Sequence, residues 1–88
     1  MIYRYPPLVE IEWDDACGHS KWFDLEGWSD KLPIRIRTIG FMLQKTKVMI
    51  QLAGSMRKNG IVGDLFIIPA GCVVNIRKLK DFDKDWFE

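Results

Sequence analysis

The sequence predicts a mainly β fold: five short strands in one strongly bent antiparallel small barrel, with one short helix between strands 1 and 2. Three observations carry that expectation. Apolar and polar side chains alternate in several short runs, the period of a half-buried strand. Glycine- and proline-containing breaks separate those runs at close spacing, as in a small barrel rather than a sandwich. A chain of 88 residues, 48% of them apolar, can build one core and no more. The whole chain, 1–88, therefore reads as a single domain, with the barrel over 8–80 and an acidic, aromatic tail over 81–88.

The first strand runs from Leu8 to Trp13, with Val9, Ile11 and Trp13 on one face and Glu10 and Glu12 on the other. Pro6-Pro7 marks its start, and the polar stretch from Asp14 to Ser20 its end. Trp22 to Lys31 suits a short helix capped by Ser20, with Asp24 and Glu26 near its positive end. Pro33 closes it.

From Ile34 the strand signal resumes. Ile34, Ile36 and Thr38 alternate with Arg35 and Arg37. Past Gly40 the apolar residues Ile39, Phe41 and Leu43 hold the parity of the arginines, which predicts a bend or bulge at the glycine. Gln44-Lys45-Thr46 reads as a hairpin turn, Val48 to Leu52 as the third strand, and Gly54 to Gly60 as a basic loop. Val62 to Ile68 is the fourth strand, Pro69-Ala70-Gly71 a tight turn, and Cys72 to Leu79 the fifth strand. The expected core is Val9, Ile11, Trp13, Ile39, Phe41, Val48, Ile50, Leu52, Ile67, Val74 and Ile76. In the tail, Phe82 and Trp86 are four apart and would share a helix face, docking on the barrel or on a neighbour.

Several function classes fall away. No apolar run approaches the ~20 residues of a membrane span, and the N-terminus lacks the apolar stretch of a signal peptide. A cytoplasmic protein is expected, with Cys17 and Cys72 as free thiols rather than a disulfide framework. No phosphate-loop or dinucleotide-binding glycine motif occurs. Asp14, Asp15, Cys17 and His19 could ligate a metal, but zinc sites pair such a cluster with a second one, and only Cys72 remains elsewhere. Cys17 and His19 likewise lack a third orienting group for nucleophilic catalysis. The expectation is no metal, no cofactor and no enzyme activity.

Charge offers the one functional pointer. The net charge of +1 hides nine basic residues between 33 and 80 against Asp64 alone. Arg35 and Arg37 point the same way on one strand, and Arg57 and Lys58 share the glycine-bounded loop. Guanidinium forks suit phosphate, so these four are the candidate ligand-binding residues. The competing expectation is that Arg35 and Arg37 pair across strands with Glu10 and Glu12 as surface decoration.

Two resemblances add to this. Gly40-Phe41-Met42-Leu43 followed by Val48-Met49-Ile50-Gln51-Leu52 resembles the bent second and third strands of Sm-like proteins, and Phe66 to Ile76 resembles the closing half of Sm/SH3-like barrels. Sm-like proteins carry an Asp and an Asn after the bent strand to hold RNA bases; here the turn is Gln44-Lys45-Thr46-Lys47, so no RNA site is implied. Val9 to Ala16 and Gly40 to Leu79 also resemble small tailed-phage proteins of unassigned activity. That resemblance implies a viral accessory protein in the host cytoplasm. The expected function is non-enzymatic binding by a homo-oligomer, of a host protein or a small anionic molecule. The alternative is a single-stranded nucleic-acid binder stacking bases on Phe41 or Trp28.

Overall fold

The alternation that opens the chain is obeyed residue by residue. β1 (Leu8–Asp15) buries Val9, Ile11 and Trp13 on its inner face and leaves Glu10, Glu12 and Asp14 on the outer one. The computed structural model describes residues 1–15 and 34–87, so the expected helix over Trp22 to Lys31, with Cys17 and His19, lies outside the described residues. Four more strands follow: β2 (Ile34–Lys45), β3 (Met49–Met56), β4 (Val62–Pro69) and β5 (Val73–Lys80). They form one antiparallel sheet in the order β4-β3-β2-β1-β5. A single 3-10 turn, Ala70–Cys72, joins β4 to β5. The helix that is described, α1 (Lys84–Phe87), stands at the C-terminal end.

The expected closed barrel is corrected to an open, curled sheet. Among the described residues β4 pairs with β3 alone and β5 with β1 alone, so two edges remain. β4 ends at Pro69, which has no N–H to offer, and the chain then turns away in 3-10 geometry. Curvature is nonetheless strong. β1 and β4 lie three strand spacings apart in the sheet order, about 14 Å in a flat sheet. Yet the rings of Trp13 on β1 and Phe66 on β4 meet with centroids 5.8 Å apart. The inner face thus packs on itself, around Val9, Ile11, Trp13, Met42, Ile50, Leu52 and Ile68. Trp13 also donates its indole N–H to Thr38 Oγ1 at 2.9 Å, so its one polar atom is satisfied.

Five expected core residues face elsewhere. Ile39 is 57% exposed and Phe41 half-buried, because β2 keeps its parity through Gly40 and turns Thr38, Gly40 and Met42 inward. The irregularity comes later, between Met42 and Gln44. Val48 is 76% exposed because it sits in the β2–β3 turn, where the Thr46 hydroxyl accepts the N–H groups of Val48 and Met49. Ile67 points outward beside the buried Ile68, and the register shift between Glu12 and Trp13 turns Val73 rather than Val74 toward the core. Gly54 and Ser55 belong to β3, and the loop is shorter than expected.

Gly40 is required by crowding rather than by a bend. A Cβ there would sit 3.0 Å from the Ala53 carbonyl oxygen and 3.3 Å from Leu52 Cβ. Gly40→Ala should therefore cost about 1–3 kcal/mol in urea denaturation, while Gly63→Ala, with open space around it, should be neutral or better. Ile50 is 1% exposed, and Ile50→Ala should cost ~2–5 kcal/mol in the same experiment.

Candidate functional site

The four basic residues expected to bind a ligand fall into two groups on different parts of the sheet. Arg35 and Arg37 lie on the outer face of β2, opposite Asp14 and Glu12 of β1. Arg57 and Lys58 lie in the β3–β4 loop. The β2–β3 ladder spans only Phe41/Ala53 to Lys45/Ile50, so no strand pairing ties the two groups together.

Arg35 is already engaged. Its Nε donates to Asp14 Oδ1 at 2.5 Å and its Nη1 to Glu12 Oε1 at 3.0 Å. These hydrogen bonds, to Asp14 first and Glu12 second, hold the guanidinium above its ordinary pKa. Arg77 of β5 reaches Glu10 on the other side of β1 at 3.4 Å. The acids of β1 thus form a row flanked by arginines of both neighbouring strands, the cross-strand pairing expected as the competing outcome, with Asp14 added and Arg77 in place of Arg37. Such exposed pairs set register more than stability. Arg37 is exposed, with no ion-pair partner among the described residues.

The β3–β4 loop spends its backbone on itself. Arg57 N–H donates to the Ile61 carbonyl at 2.8 Å, Gly60 N–H to the Arg57 carbonyl at 3.0 Å, and Ile61 N–H to Asn59 Oδ1 at 3.3 Å. Gly60 takes the left-handed conformation that the closure needs, with φ 82°. The loop therefore offers side chains rather than a backbone cradle. Arg57 borders a shallow hollow of about 250 Å³ with Ser55, Ile61 and Val62.

The structure forms two further assemblies, of which the sequence announced only the docking of the tail. The tail docks on its own sheet: Phe82 meets Phe41 at 5.8 Å and Trp86 at 5.4 Å, and Phe87 meets Tyr5 at 5.3 Å. The i, i+4 spacing of Phe82 and Trp86 was the signal for the contact, but not for the surface it covers. Phe41 is thereby withdrawn as a stacking platform.

The second assembly is on the inner face. Residues 1–7 continue along the far half of β2, with Tyr3 N–H donating to the Leu43 carbonyl at 2.9 Å and Met42 N–H to that of Pro7 at 2.9 Å. Pro6 and Pro7 cannot continue a ladder toward β5, so β1–β5 pairing stops at Leu8/Lys80 and a groove of about 360 Å³ opens. Val9, Met42 and Ile76 form its apolar lining, and Tyr3, Lys45 and Lys78 add polar groups. Tyr3 and Tyr5 alternate as strand residues do, a signal masked by reading the two prolines as a boundary.

Compared with known proteins, the chain matches no family model, no curated protein and no solved structure. Among the described residues no cluster of metal-binding side chains occurs, and no helix is long and apolar enough to cross a membrane. Removing the central ring of the tail tests the docking: Phe82→Ala should cost about 1–3 kcal/mol by urea denaturation, the sum of two aromatic pairs.

Proposed function

We propose that this chain is a non-enzymatic binding protein that works as a homo-oligomer of small Sm/SH3-like β domains. In this reading it captures a small anionic ligand, or an acidic surface of a host protein, at the boundary between subunits. The observation that carries it is the pair of apolar sheet edges that no other strand covers among the described residues. On β4, Leu65 is 58% and Ile67 54% exposed; on β5, Val74 is 50% exposed. Both edges present unpaired backbone donors and acceptors, which a second copy satisfies by strand addition. Asp64, with φ 58°, breaks the extended line of β4, which confines the pairing run to Leu65–Pro69.

Strand order and the 3-10 link between the last two strands support the Sm/SH3-like reading. The likeness to small tailed-phage proteins supports an accessory role in a host cytoplasm. Within it, Arg37, Arg57 and Lys58 contact the anion, while Arg35, with two carboxylates already bound, anchors β2 to β1. The single-strand reading loses one of its two stacking platforms, because Phe82 packs on Phe41, while the other, Trp28, lies outside the described residues.

Sedimentation at micromolar concentration should give a mass well above the 10.3 kDa of one chain. Leu65→Lys with Ile67→Lys should return it to one chain without loss of β circular dichroism, since neither side chain is in the core. A parent protein that sediments as one chain would sink the assembly. For the ligand, pyrophosphate binding should fall about tenfold or more in Arg37→Gln with Arg57→Gln and stay unchanged in Arg35→Gln. The opposite ranking would return the site to Arg35.

A further inference from the structure

The inner-face groove involves none of the arginines just discussed, and its chemistry is different. Two strand irregularities bring its cations in. The shift between Met42 and Gln44 places Lys45 opposite the inward-facing Ile50, on the inner side of the sheet. Lys78 pairs with the buried Val9, two residues beyond the inward-facing Ile76. Lysine on a core-facing row is unusual, because its ammonium must reach back to water. Here both lysines line an apolar hollow.

The remaining walls limit what could fill it. Val9 and Met42, 1% and 6% exposed, belong to the core itself, so the floor is rigid and apolar. Tyr3 packs against the same core from the N-terminal arm. Tyr5 is held in place from behind by Phe87 at 5.3 Å, with the Arg4 guanidinium 5.4 Å from its ring. Asp81 supplies the one carboxylate, 3.2 Å from Lys78 Nζ. Among the described residues that line the groove, two ammonium groups against one carboxylate leave one uncompensated positive charge. The volume, about 360 Å³, is at the small end of ligand sites.

We propose that this groove binds a small organic carboxylate with an apolar body. The carboxylate sits between Lys45 and Lys78, and the body lies on Val9, Met42 and Ile76 beside the two tyrosines. A monoanion matches the one spare charge, and a doubly charged phosphate without an apolar part would leave the floor wet. The apolar portion gains by leaving water, and the ion pair fixes its direction.

The test is a titration of the isotope-labelled full chain with phenylpropionate, followed by amide chemical shifts. Neutral phenylpropionamide isolates the charge, and acetate isolates the apolar body. The expected result is saturable shifts at Tyr3, Val9, Met42 and Lys78, with both controls at least about tenfold weaker. Lys45→Gln and Lys78→Gln should each weaken phenylpropionate about tenfold, as loss of a charged hydrogen bond does. Asp81→Asn should strengthen it. The parent-chain comparison of acid with amide stands whether or not the variants fold. Non-saturating shifts, equal affinity for acid and amide, or shifts centred on the Arg57 loop would overturn the proposal. So would unchanged phenylpropionate affinity in a folded Lys78→Gln.

Discussion

Everything in this domain depends on one sheet being able to cover its own inner face. No second layer is available among the described residues, so apolar side chains of distant strands must meet each other. The contact of Trp13 with Phe66 is where that happens, across the width of three strand spacings. A smaller side chain at either position would leave the curl without its bridge. The indole is suited to the task because Thr38 accepts its N–H, so a large ring is buried without stranding a polar atom.

Curling has consequences for the strands that do it. A sheet that bends this sharply accumulates irregularities, and here they fall at Met42/Gln44, at Glu12/Trp13 and at Leu8/Val9. Each one reassigns the side chains beyond it. The first carries Lys45 to the inner side; the second exchanges Val73 for Val74 at the core. The row of acids on β1 is untouched by them, and Arg35 and Arg77 flank it from the neighbouring strands. Charge on the outer face therefore records strand pairing. Charge on the inner face marks where pairing stops.

A core of this size leaves a narrow margin. The tail offsets part of that by laying Phe82 against Phe41 and Phe87 against Tyr5, with Trp86 packed between Phe82 and Phe87, so its acids stay in water while its rings are half-buried. The open edges pull the other way. Among the described residues they carry exposed Leu65, Ile67 and Val74 beside backbone groups that no other strand pairs. Among the described residues, the tail thus packs on Phe41 and Tyr5 while β4 and β5 keep open edges.

The amino-acid sequence alone determined a mainly β chain and, among the described residues, its five strands and nearly all their positions, because the period of two survives in β1, in the first half of β2 and in β3; it did not determine that the sheet stays open. It also determined the inward set Val9, Ile11, Trp13, Ile50 and Leu52. What only the tertiary structure decided is where the irregularities fall. A one-residue shift exchanges the two faces: the one expected at Gly40 does not occur, which leaves Met42 inward, whereas one at Glu12/Trp13 turns Val73 rather than Val74 to the core, and the chemistry of these residues announces neither. The ligand surfaces share that dependence. Arg35 and Arg37 were legible as a pair of cations, but the partners that occupy Arg35 are set by register with β1. Lys45, Lys78, Tyr3 and Tyr5 come from three separate segments, and no local pattern links them. They meet because two prolines deny β5 a partner beyond Leu8 while β2 continues to hold the arm, and that divergence exists only in three dimensions.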